Sequence, residues 1–315
     1  MKFLLFILIM IFSNYVYGRE IGETEITTEE GIEVFQNEKY YLLKKNVIIE
    51  SDSFELSADN VKANFEKDLY DITKIESNGN VILVNPHGVL LTKSGTVKSN
   101  SFTASSLDIK TSDFLEGKHN YYMNKNGKGI ENHGNIQVNN SGHTALLGNY
   151  VSNEGTITAK FGKIFMGAGE QITLDLTGNG LMKIIVPTRD LSKITDIQGK
   201  TLDSLVTNNG SLQADGGFIQ LSAKTAENLM LGAVNVGSSG TISSATIDKK
   251  TGNVIIGGED NGFVSVEGNI DISSSNNSTT PSGNLNITGT NLYFGGKTHA
   301  SGSTGGNILA KSKEM

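Results

Sequence analysis

Gly134-Asn135-Ile136, Gly155-Thr156-Ile157, Gly210-Ser211-Leu212, Gly240-Thr241-Ile242, Gly252-Asn253-Val254, Gly268-Asn269-Ile270, Gly283-Asn284-Leu285 and Gly306-Asn307-Ile308 repeat one short unit. Each is a glycine, a polar residue, and then a β-branched or leucine strand start. The steps between the glycines are 21, 55, 30, 12, 16, 15 and 23 residues. Several fall near the roughly 20-residue coil of a solenoid, and turns that carry insertions make such steps irregular. A β-sandwich produces similar spacing. Around these units apolar residues alternate with polar ones, as in Ile136-Gln137-Val138, Ile157-Thr158-Ala159, Ile172-Thr173-Leu174-Asp175-Leu176, Ile270-Asp271-Ile272 and Leu285-Asn286-Ile287. Alternation sends one face of a strand into a core and the other into solvent.

Composition agrees. The 315 residues contain 37 Gly, 3 Pro, no Cys and no Trp. Abundant glycine with little proline fits many short strands joined by tight turns better than a disordered linker. Helical periodicity is limited to Thr225–Leu231. The expected fold is therefore all-β, a right-handed parallel β-helix. One coil cannot bury its apolar side chains alone; stacking coils about 4.8 Å apart buries them in a column and pairs the backbone. Asparagine tolerates the left-handed region, so it can stack at equivalent corners of successive coils.

The N-terminus reads as an export signal. Lys2 is followed by the apolar run Phe3 to Phe12, and Val16 and Gly18 stand at the −3 and −1 positions of a cleavage site. Residues 1–18 are thus expected to be a signal peptide, with Arg19 opening the mature chain. The run is shorter than the roughly 20 residues that span a bilayer. Absence of cysteine excludes disulfides, thiolate metal sites and thiol nucleophiles. The net charge is −7, with Arg19 and Arg189 the only arginines, and no basic cluster suggests nucleic acid as a partner.

From residue 79 the chain carries Gly79-Asn80-Val81-Ile82-Leu83-Val84-Asn85-Pro86-His87-Gly88-Val89-Leu90-Leu91, then Ala104-Ser105-Ser106-Leu107-Asp108-Ile109 and Ser112-Asp113-Phe114-Leu115-Glu116-Gly117. In this order the motifs resemble the secretion domain of filamentous haemagglutinin-like exoproteins of the two-partner route. Pro86 fixes φ and Gly88 is free to take a positive φ, so Asn85 to Gly88 is a tight turn. The resemblance implies that this turn, Asn85, Pro86, His87, Gly88 and Val89, is recognised by a partner outer-membrane transporter; His87 stands where the family has Asn. It also implies a secreted or surface-exposed, adhesin-like protein that meets a host or bacterial surface receptor.

Residues 19–78 are more charged and poorer in glycine, with short strands at Ile32-Glu33-Val34, Tyr40-Tyr41-Leu42, Val47-Ile48-Ile49 and Phe54-Glu55-Leu56. Within residues 26–83, Asn46-Val47-Ile48-Ile49, Leu56-Ser57-Ala58-Asp59, Tyr70 and Ile75 to Val81 resemble the OstA-type repeat of periplasmic lipopolysaccharide-transport proteins. That resemblance implies a jelly-roll-like cap at 19–83 ahead of a β-helix at 79–315. It carries a second functional reading, a periplasmic protein that binds the acyl chains of lipopolysaccharide.

Catalysis is a third reading, because some β-helices act on polysaccharides through paired carboxylates. No convincing pair stands out. Asp175 lies alone between leucines, and Glu259-Asp260 sits in a glycine-rich turn without the nine-residue calcium repeat. His87, His119, His133, His143 and His299 read as scattered, and Tyr121-Tyr122 as a candidate surface loop. The expectation is a non-enzymatic protein without cofactor or metal.

Overall fold

The structure is a computed structural model that describes residues 25–35, 39–50, 55–65, 72–110, 112–113, 116–123, 128–176, 181–186, 194–196, 199–224, 232–257, 262–275 and 279–312. The expected signal peptide, the Thr225–Leu231 segment and the Glu259-Asp260 turn lie outside them. Among the described residues, apart from the helical residues 112–113, the regular elements are strands.

The chain is a β-solenoid with three columns of parallel strands. The first column stacks Ile72–Glu76, Thr96–Ser99, Asn135–Val138, Thr156–Thr158, Ser211–Gln213, Thr241–Ser243, Asn269–Asp271 and Lys297–His299. The second stacks Asn80–Val84, Ser101–Ser105, His143–Gly148, Lys163–Ala168, Phe218–Ala223, Asn253–Gly257, Asn284–Gly289 and Asn307–Ser312. The third is a seven-stranded sheet from Val89–Leu91 through Ile130–Asn132, Val151–Asn153, Ser204–Asn208, Gly232–Val236 and Phe263–Val266 to Asn291–Phe294. Each coil visits the columns in this order.

Alternation now has a spatial meaning. In the first column Val97, Ile136, Ile157, Leu212, Ile242 and Ile270 are in register, and all are buried. The second column adds two such rows, one through Ile164, Ile219, Val254 and Leu285, the other through Met166, Leu221, Ile256 and Ile287. Each side chain packs against its counterpart one coil away, and full burial of such a side chain is worth about 1.5–3 kcal/mol.

The irregular glycine steps resolve into two interleaved ladders. Gly134, Gly155, Gly210, Gly240 and Gly268 precede first-column strands, whereas Gly252, Gly283 and Gly306 precede second-column strands. Their role is close approach. A Cβ on Gly155 would overlap the Gly134 carbonyl oxygen, and one on Gly210 would overlap that of Gly155. The same carbonyls accept from the next coil, with Thr156 N–H on Gly134 O at 2.9 Å and Ser211 N–H on Gly155 O at 2.8 Å.

Asparagines stack at a third-column corner. Asn132 donates to Asn153 Oδ1 at 2.7 Å, and Asn153 donates to Asn208 Oδ1 at 2.8 Å, with all three buried. A second run, Asn307 to Asn284 to Asn253, lies nearer the surface at 3.1 and 2.8 Å.

The N-terminal end is closed by antiparallel strands. Glu25–Thr27 and Ile32–Phe35 both pair with Tyr40–Glu50, which pairs with Glu55–Phe65. The last strand runs antiparallel to both Ile72–Glu76 and Asn80–Val84, so it spans the first two columns and ties them into one sheet. The β-rich cap thus extends the solenoid's own sheet. Its inward residues Leu43, Val47, Leu56, Ala58, Val61 and Ala63 belong to the main core. Parallel pairing begins at Lys74 opposite Thr96.

A four-stranded antiparallel sheet lies outside the second column. It is made of Asp108–Ile109, His119–Tyr122, Gln171–Leu174 and Met182–Val186. Leu107, Tyr121, Ile172, Leu174, Met182 and Ile184 pack there against the outward residues Ala145, Leu147 and Phe165, forming a second core. Tyr121 has no exposed surface, which corrects the expectation of a surface loop at Tyr121-Tyr122: an apolar outer layer covers it. The buried Gln220 side chain fastens this sheet, accepting from Met182 N–H at 2.9 Å and donating to Met182 O at 2.8 Å. Gln220→Ala strands both backbone groups and is expected to cost about 2 kcal/mol. Urea unfolding checks this, and a loss below about 0.5 kcal/mol would show that water replaces the amide.

Candidate functional site

The Asn85 turn joins the second column to the third in the first coil. Asn85 O accepts from Gly88 N–H at 2.8 Å, closing the β-turn, while Asn85 Oδ1 accepts from His87 N–H at 2.9 Å. Asn85 therefore sets the turn through both its backbone and its side chain. Gly88 has φ +95°, and a Cβ there would press on the Gly129 carbonyl oxygen at 2.8 Å. The positive φ expected of Gly88 is thus present, with a second reason for glycine.

The next coil braces the turn. Lys128 N–H donates to Pro86 O at 3.0 Å, Val89 N–H to Gly129 O at 3.2 Å, and Asn85 N–H to Ser105 O at 2.8 Å. Gly129 in turn lies against the ring of Tyr150, which is buried. The Tyr150 hydroxyl donates to Glu131 Oε1 at 2.7 Å. His133 bridges Glu131 at 3.3 Å and Glu154 at 2.8 Å. Of the five turn residues, His87 is exposed and the other four are half-buried; Leu90, the next residue along the chain, is 45% exposed. The five lie together on one corner, which offers one polar ring and one apolar side chain to a partner.

Sequence reasoning did not find this bracing network, since Tyr150, Glu131 and Glu154 carry no local motif. It also treated the histidines as scattered. The structure places His119 in the outer sheet and His143 in the second column beneath it, near enough for the charge of one to act on the other. Burial holds both imidazoles below the ordinary pKa of 6.5, and His143 is lowered to about 4. Among the described residues no group of three His, Asp or Glu is arranged to hold a metal ion, and no helix is long and apolar enough to cross a membrane.

No family model and no curated relative matches the chain. Among solved structures, it is similar to the crystal structure of the HMW1 secretion domain from Haemophilus influenzae. The TM-score is 0.58 at 21% identity, covering 81% of this chain and 75% of that one. The likeness is one of fold. At this identity it establishes the β-solenoid, and the Asn85 turn keeps its role only as a candidate.

Proposed function

We propose that this chain is an exported exoprotein of the two-partner type that acts by binding and not by catalysis. In this reading a transporter in the outer membrane engages the Asn85 corner, and the solenoid serves at the cell surface or in the medium, in adhesion to a receptor. The observation that carries it is the fold likeness to a secretion domain over most of the chain. The turn geometry supports it: the turn closes on itself through Asn85, and backbone bonds from Asn85, Pro86 and Val89 to the next coil fix its orientation once the first coils have stacked. The lipid-transport reading gains less, because the cap's inward apolar residues are packed into the main core.

The test is fractionation of the full chain, expressed with and without a two-partner transporter. We expect transporter-dependent appearance in the medium, reduced at least tenfold by Asn85→Ala. That substitution removes the bond to His87 N–H, worth about 1 kcal/mol, and leaves the core intact. Periplasmic retention in both strains would overturn the proposal and favour lipid handling.

A further inference from the structure

The contact between the outer sheet and the second column contains a polar spot within an apolar layer. His143 opens the strand His143–Gly148, and His119 opens the outer strand His119–Tyr122. His143 Nε2 lies 3.3 Å from Thr103 Oγ1, and its backbone N–H donates to Ser101 Oγ at 3.1 Å. His119 Nδ1 is buried without a hydrogen-bond partner. The apolar layer between the outer sheet and the second column is built from residues that include Ala145, Leu147, Phe165, Leu174 and fully buried Tyr121.

The surroundings suit neutral rings and oppose charged ones. The strand Ser101–Ser105 presents Ser101 and Thr103, which carry no charge. Lys163–Ala168 presents Lys163, paired in register with His143, and its ammonium donates to Leu176 O at 3.2 Å. The strand His119–Tyr122 presents His119 and Tyr121, and Gln171–Leu174 places Leu174 opposite His119. The charges acting on His143 come from His119 and Lys163, both repulsive to an imidazolium.

From this geometry we propose that the outer sheet is an acid-released flap: protonation of His119 and His143 uncouples it from the second column and uncovers that column's apolar outer face. The sign follows from burial. A ring held near pKa 4 in the closed state and free at 6.5 in the open state takes up its proton preferentially when open. Closure is therefore complete above about pH 6.5 and weakens as pH falls toward 4. His143 alone shifts the opening equilibrium by roughly 80-fold at pH 4.5, and His119 adds to it in the same direction.

Hydrogen exchange on the full chain, corrected for intrinsic rates, reads this out at pH 7.5 and 4.5. We expect peptides covering 108–122 and 171–186 to lose protection at pH 4.5, while those covering 211–223 and 241–257 keep it. The His119→Gln/His143→Gln variant should retain outer-sheet protection at both pH values. Equal acid loss in that variant would overturn the proposal, since carboxylates would then be the trigger. Should the variant not fold, the wild-type midpoint decides: between pH 4 and 6.5 it supports the histidines, and below 3.5, or with no transition, it refutes them.

Discussion

Gly155→Ala is expected to lower stability by at least about 3 kcal/mol, although it adds a single methyl group at a corner of the solenoid. The new Cβ would meet the Gly134 carbonyl oxygen, the Gly134 nitrogen and the His133 carbonyl carbon. All three are backbone atoms of the neighbouring coil, so no side chain can swing aside. Relief requires the coils to part, which also lengthens the bond from Thr156 N–H to Gly134 O. Gly305→Ala is the control: its Cβ would touch nothing within 4 Å, and its φ is not positive. Chemical denaturation should separate the two variants clearly. A Gly155→Ala stability within about 1 kcal/mol of wild type would mean that neighbouring coils part easily at this corner.

The second large effect is expected at Asn153. It accepts from Asn132 and donates to Asn208, and all three side chains are sealed from solvent. Asn153→Ala orphans one amide donor on Asn132 and one amide oxygen on Asn208, at about 1–3 kcal/mol each, so a loss of about 3–5 kcal/mol follows with the vacated volume. Val236 stands opposite Asn208 in the next coil and Val266 opposite Val236, so the same position accepts valine there. The triple variant Asn132→Val/Asn153→Val/Asn208→Val should therefore cost less than three single valine substitutions summed, because no side-chain amide of the ladder is left facing a missing partner. Strict additivity would show that the asparagines act independently of one another.

The sequence made much of this architecture readable. Glycine followed by a polar residue and a β-branched one marks the entry to a coil strand, because close coil stacking excludes a side chain at Gly155 and Gly210. Alternation located the inward rows, as at Ile136 and Ile270. What resisted reading was the assignment of glycines to columns. Gly240 and Gly252 look like successive repeats, yet they open different faces of one coil, since the local pattern is the same at both corners. The outer sheet was hidden for another reason. Ile172 and Leu174 alternate like any coil strand, and only the 55-residue step from Gly155 to Gly210 hints at an insertion. Nothing local reveals that Gln220 grips Met182, or that the charges of His119 and His143 act on one another, because these interactions join distant segments. At the candidate corner the turn itself was legible from Asn85, Pro86 and Gly88, whereas the support from Gly129 and Tyr150 depends on stacking.

The outer sheet also dictates a sequence of events in time. His119–Tyr122 can pair locally with Asp108–Ile109, but its second ladder has to wait for Gln171–Leu174, some fifty residues downstream. Closing so long a loop is slow compared with adding the next coil onto an existing one. The solenoid can therefore grow from its N-terminal cap through the coil at 135–153 while the outer sheet is only half-built, leaving Ala145 and Leu147 without the cover that Ile172, Leu174, Met182 and Ile184 later add. Arrival of residues 171–186 acts as a latch that records completion of the first coils, so an apolar surface is displayed for a limited interval and then withdrawn.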